Sequence, residues 1–92
     1  MTYSIQAKCT LIAHPADTRR TVRYELLRMF RNGREAWSFL ILEEEEGSVL
    51  ESAFLYDLTS DAERAQSCYR DLVSGEVLPC QAEEILLEAI GV

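Results

Sequence analysis

A chain of 92 residues supports one domain built on one core, and 48% hydrophobic with 27% charged residues is too apolar a composition for an intrinsically disordered protein. A net charge of −7 and a pI near 4.6 exclude binding to nucleic acid or anionic lipid by bulk attraction. No run approaches the ~20 apolar residues needed to cross a bilayer, and Met1-Thr2-Tyr3-Ser4-Ile5 lacks a basic-then-apolar leader, so a cytoplasmic location is expected.

Tyr3 to Ala13 is expected as a first strand, and His14-Pro15-Ala16-Asp17 as a turn, because the residue before proline is pushed toward extended conformations. Thr21 to Arg31 and Arg34 to Leu42 are β-rich runs separated by Asn32-Gly33. That dipeptide predicts a hairpin, since a type I′ turn needs positive φ at both central residues. The two-residue loop also sets the register: with Arg31 opposite Arg34, one side carries Phe30/Glu35, Arg28/Trp37, Leu26/Phe39 and Tyr24/Ile41 and becomes the core candidate. The other side is mixed and partly apolar, with Leu27, Met29, Leu40 and Leu42, and is either half covered or used for contact.

Glu43 to Glu46 with Gly47 read as a solvated loop, and Ser48 to Leu58 as a further strand with Leu50, Phe54, Tyr56 and Leu58 on one face. The pattern then changes to a helical period. Ser60-Asp61-Ala62-Glu63 has capping-box form with Ser60 as the cap, and Ala62, Ala65, Tyr69, Leu72 and Val73 make an apolar stripe that Gly75 should end in a left-handed conformation. Pro79 suits the first turn of a second helix, whose stripe is Ala82, Ile85, Leu86, Ala89 and Ile90, with Gly91 as its stop. The expected fold is α+β: an antiparallel meander of three to four strands, then two helices packed on one face.

Asp57-Leu58-Thr59-Ser60-Asp61, then Leu72, Gly75, Val77 and Pro79, then Glu83-Glu84-Ile85, resemble a small uncharacterised domain family of clostridial-type bacteria. Its members share an Asp-Ile-Ser/Thr-x-Asp start and a Gly-x-Val-x-Pro connection into an acidic helix. The resemblance covers residues 57–90 and consists of structural punctuation. It implies a bacterial source and carries no activity and no site residue.

Cys9, His14, Cys68 and Cys80 contain no close cysteine pair of the kind structural zinc sites use, so no metal is expected. The odd cysteine count at unrelated spacings fits reduced thiols. Cys80, at the positive end of the second helix's dipole, is the one nucleophile to test, but His14 is the only histidine and nothing in the spacing joins them. No glycine-rich phosphate loop is present and no cofactor is expected. The chain is therefore read as a non-enzyme.

Charge gives the best pointer to function. Up to Leu42, seven basic residues face three carboxylates, a balance of +4; from Glu43 onward, Arg64 and Arg70 face thirteen, a balance of −11. The expected function is a non-catalytic, acidic protein-binding module, such as a small regulator or phage-type inhibitor that masks a basic, nucleic-acid-binding surface. Glu43, Glu44, Glu45, Glu46, Glu51, Glu83, Glu84 and Glu88 are the candidate contacts. The alternatives are a structural homodimer meeting through Leu27, Met29, Leu40 and Leu42, and a small-molecule carrier with a pocket lined by Tyr24, Trp37, Tyr56 and Tyr69. Arg28, Arg31 and Arg34 near the hairpin tip are basic contact candidates, with Arg28 over Trp37 as a cation–π pair; the bland reading pairs these arginines with the acidic half. Direct nucleic-acid binding is disfavoured by the net charge.

Overall fold

The computed structural model describes residues 3–14 and 17–91. Four strands, β1 (Tyr3–His14), β2 (Asp17–Arg31), β3 (Arg34–Glu45) and β4 (Ser48–Thr59), form an antiparallel meander in the order β1-β2-β3-β4. Two helices follow, α1 (Ala62–Ser74) and α2 (Pro79–Ile90), so the α+β arrangement is as the sequence predicts. Pro15 and Ala16 of the expected first turn lie outside the described residues, and His14 pairs with Asp17 beside it.

The Asn32-Gly33 hairpin has the expected form, with φ of 53° and 78° at its two central residues. Its register runs from Arg31↔Arg34 through Leu26↔Phe39 and Tyr24↔Ile41, and continues beyond Leu42 to Arg20↔Glu45. The glutamate run is thus not the loop expected from the sequence. Glu43 to Glu45 belong to β3, and only Glu46-Gly47 turn, both with positive φ. The extra strand length is stabilised by ladder hydrogen bonds to β2 and by arginines across the register.

Both helices pack on the face that carries Val22, Tyr24, Leu26, Phe39 and Ile41, with α1 over β2 and α2 over β4. Ala65, Cys68 and Leu72 of α1, Val77 of the connection, and Ala82 and Leu86 of α2 close this core. Tyr24 is 1% exposed, and its hydroxyl donates to the Val77 carbonyl at 2.9 Å, tying the sheet to the connection between the helices. The Tyr69 hydroxyl donates to the Tyr24 carbonyl at 3.1 Å. A buried donor or acceptor left unpaired costs ~1–3 kcal/mol, so these bonds fix how the helices sit.

Four local expectations are corrected. β4 does not put Leu50, Phe54, Tyr56 and Leu58 on one face. Leu50 is an extra residue where the register shifts between Glu43↔Glu51 and Glu44↔Val49, and Tyr56, Asp57 and Leu58 together lie opposite Ser38, with Asp57 at φ 51°. Leu55, opposite Phe39, is the buried residue, while Phe54 stands with Leu40 on the other face. The α1 cap is Asp61, not Ser60: its Oδ1 accepts from the Glu63 and Arg64 amides at 3.0 and 3.2 Å, because β4 extends to Thr59 and the helix starts one residue late. Gly75 is right-handed (φ −84°), and Glu76 (φ 49°) takes the left-handed position while the Val77 amide donates back to the Leu72 carbonyl. What Gly75 supplies is room, since a Cβ there would stand 3.0 Å from the Asp71 carbonyl oxygen. Finally, the Arg28 guanidinium lies 5.1 Å above the Phe30 ring, two residues along the same face, and not over Trp37, which is sunk in the core.

Candidate interaction surfaces

The two sides of the sheet differ in cover. The molecule is 45 × 26 × 17 Å, and 17 Å accommodates one sheet and one layer of helix. Among the described residues, no helix lies on the second side. On it lie Leu27, Met29 and Ala36, a small cluster that is buried although no element covers it. Ser38 completes the floor and is fully buried; its Oγ accepts from the Asp57 amide at 2.9 Å and approaches the Met29 sulfur at 3.7 Å. The walls come from the edge strands. Tyr3 and Ile5 rise from β1, and Phe54 and Tyr56 from β4. Together they shape an apolar trough of about 530 Å³ that also takes in Leu40 and Glu25. Tyr3 and Phe54 remain 62% and 53% exposed. Of the expected apolar contacts, Leu27 and Met29 are floor, and Leu40 and Leu42 are half-buried on the same face.

Charges are sorted by face as well. At the end of the trough, Glu25 is nearly buried and ion-paired with Arg23 (3.3 Å), which also reaches Glu44 at 3.4 Å. Glu43 approaches Arg20 at 3.7 Å, and Glu46 approaches Arg19 at 3.9 Å. Near the hairpin tip, Arg28 pairs with Glu35 at 3.4 Å, and Arg34 is exposed; the Arg31 side chain is outside what is described. Much of the sequence's charge asymmetry is thus discharged between β2 and β3. The surplus sits in the helical layer, where residues 61–90 carry seven exposed carboxylates against Arg64 and Arg70. Glu83, Glu84 and Glu88 are all exposed on α2, and Ile85 among them is the one large hydrophobic exposed in either helix. Glu51 is exposed on β4.

The aromatic pocket named as an alternative is not formed between sheet and helices, and ordinary core, the favoured reading of these rings, holds for Tyr24 and Trp37. Tyr24 and Trp37 are packed into the core, Tyr69 is half-buried over β2, and Tyr56 is on the opposite side of the sheet. Burial, Glu76 and Cys9 push the Tyr24 hydroxyl up to about 12, and burial raises Tyr69 as well. Both phenols therefore stay protonated as donors at neutral pH.

Cys68 is buried in the core, which raises its thiol above the usual range and keeps it protonated. Cys80 is exposed in the first turn of α2, over β4, whereas His14 belongs to β1 at the opposite edge of the sheet. Three strand spacings, about 14 Å, separate those edges. Among the described residues no three His, Cys, Asp or Glu side chains gather as metal ligands do, and no helix is long and apolar enough to cross a membrane. Comparison with protein-family models, curated proteins and solved structures returned no match to this chain.

Proposed function

We propose that this chain is a non-catalytic, acidic protein-binding module that turns its helical layer toward a partner with a basic surface. A small regulator, or a phage-type inhibitor covering a nucleic-acid-binding surface, is the concrete form of this reading. The observation that carries it is the placement of the negative surplus: seven carboxylates against two arginines over residues 61–90, all exposed. Such a field speeds encounter with a basic partner and disfavours acidic ones, with an effect that salt screens. Ile85, exposed between Glu84 and Glu88, supplies an apolar contact where affinity can be set.

Within the acidic set, Glu83, Glu84, Glu88 and Glu51 are the contacts this reading uses. Glu43, Glu44 and Glu46 already have arginine partners within the chain, so reversing them would test folding as much as binding. The decisive variant is therefore E83K/E84K/E88K. Tagged wild type should retain a basic protein from host lysate at low salt and release it at high salt, and the variant should not retain it. Equal retention by both proteins would overturn the proposal.

A further inference from the structure

We infer that the open face of the sheet is the contact surface for a second copy of this chain. The inference is independent of the helical layer and uses the opposite side of the molecule. An antiparallel sheet with one solvated face normally alternates apolar inside with polar outside. Here the outer face carries an apolar band that crosses all four strands, from Ile5 through Leu27 and Leu40 to Phe54, with the charged Arg23, Glu25 and Lys8 to one side of it. Exposed apolar patches of several hundred Å² mark contact sites.

Three observations select a second copy as the occupant. The first is shape. A two-fold contact needs one patch to supply both projection and recess. The trough of about 530 Å³ has the half-exposed rings of Phe54 and Tyr56 along its β4 wall, so each copy offers rings for the other's trough. The second is area. Four strands span about 19 Å, and the nine residues from Thr21 to Met29, trough and charged end together, about 30 Å, so the whole face offers roughly 550 Å² per copy and roughly 1,100 Å² for a pair. That reaches the lower range of specific interfaces, so a concentration-dependent dimer is expected.

The third is charge. The central rows Leu27↔Ser38 and Met29↔Ala36 carry none, and at one end Arg23, Glu25 and Glu44 are already paired with one another, with Lys8 opposite Glu25 in the register. Stacking two open faces sends both acidic helical layers outward. With sheets about 10 Å apart and a helix layer beyond each, those layers stand ~30 Å from one another. Their repulsion is screened at that distance, where the Debye length is about 8 Å at physiological salt. A nucleic-acid strand stacking on the exposed rings would instead need several free cations, whereas on this face Arg23 is engaged by two carboxylates and Lys8 stands opposite Glu25 in the register.

The test is sedimentation velocity over a concentration series at low and high salt, on wild type, Leu40→Glu, Phe54→Glu and the helical-layer control Ser67→Glu, with circular dichroism on each. Phe54 is half exposed, so its variant keeps the fold even if Leu40→Glu does not. The expected result is a wild-type dimer that persists or tightens in high salt, a monomeric folded Phe54→Glu, and a dimeric Ser67→Glu. A wild type that is monomeric at every concentration overturns the inference, as does a dimer that Phe54→Glu leaves intact. A larger species that carries nucleic-acid absorbance and collapses on nuclease treatment overturns it too.

Discussion

Phe39 and Leu40 are neighbours in one strand and live in different environments. Phe39 is fully buried beneath both helices, and Leu40 is half-buried in an uncovered trough. The same sheet thus presents one face finished by its own chain and one left apolar without a cover. Apolar pattern alone therefore does not say which face is core. What decides is where the helices can be tied, and here Tyr24 and Tyr69 hold them to one side through hydrogen bonds to main-chain carbonyls.

The contrast can be broken most directly by truncation. Phe39→Ala should cost roughly 3–5 kcal/mol in urea unfolding, and Leu40→Ala about 1 kcal/mol at low protein concentration. A Leu40→Ala loss as large as that of Phe39→Ala would mean the open face is as covered as the other. Next in size, E43K/E44K should lose about 2 kcal/mol, because it places like charges beside Arg20 and Arg23 in a partly buried ladder. E83K/E84K/E88K on the exposed helix should stay within about 0.5 kcal/mol of wild type.

Alkaline unfolding sharpens the picture of the finished face. The Tyr24 hydroxyl titrates near 12 when folded, against about 10 when unfolded. Above pH 10 the unfolded chain releases this proton and the folded chain keeps it, so stability should fall as pH rises from about 10 toward 12. Tyr24→Phe should flatten that slope, and an unchanged slope would assign it to other groups. At the start of α1, Asp61→Ala should cost about 1 kcal/mol and Ser60→Ala almost nothing, as measured by thermal unfolding.

The sequence makes the hairpin legible because Asn32-Gly33 constrains both turn and register. It makes the helices legible because their stripes and Pro79 are local signals. The glutamate strand was within reach as well. Carrying the Arg31↔Arg34 register backward places Arg20 opposite Glu45 and leaves Arg23 one step from Glu44, which is a reason for Glu43 to Glu45 to stay paired. β4 was not legible: the shifts at Leu50 and Asp57 reset which side chains face the helices, and neither is announced by a glycine or proline. The trough was half visible as an unexplained apolar row on β2 and β3. Its walls come from Tyr3, Ile5, Phe54 and Tyr56, whose faces depend on register in the edge strands.

The meander also bears on the order in which the molecule comes together. Every strand pairs with its immediate neighbour in the chain, so building the sheet requires only short loop closures of small entropic cost. The bonds that seat the helices are remote by comparison, with Tyr24 and Val77 separated by 53 residues and Tyr69 and Tyr24 by 45. The sheet is therefore expected to assemble first and the helices to dock late. In stopped-flow kinetics, Gly33→Ala should mainly slow folding and Leu86→Ala mainly hasten unfolding; the reverse assignment would put helix docking in the nucleus. If the helices dock in that order, both faces of the sheet are bare in the interval, and a second chain could compete there with the molecule's own helices.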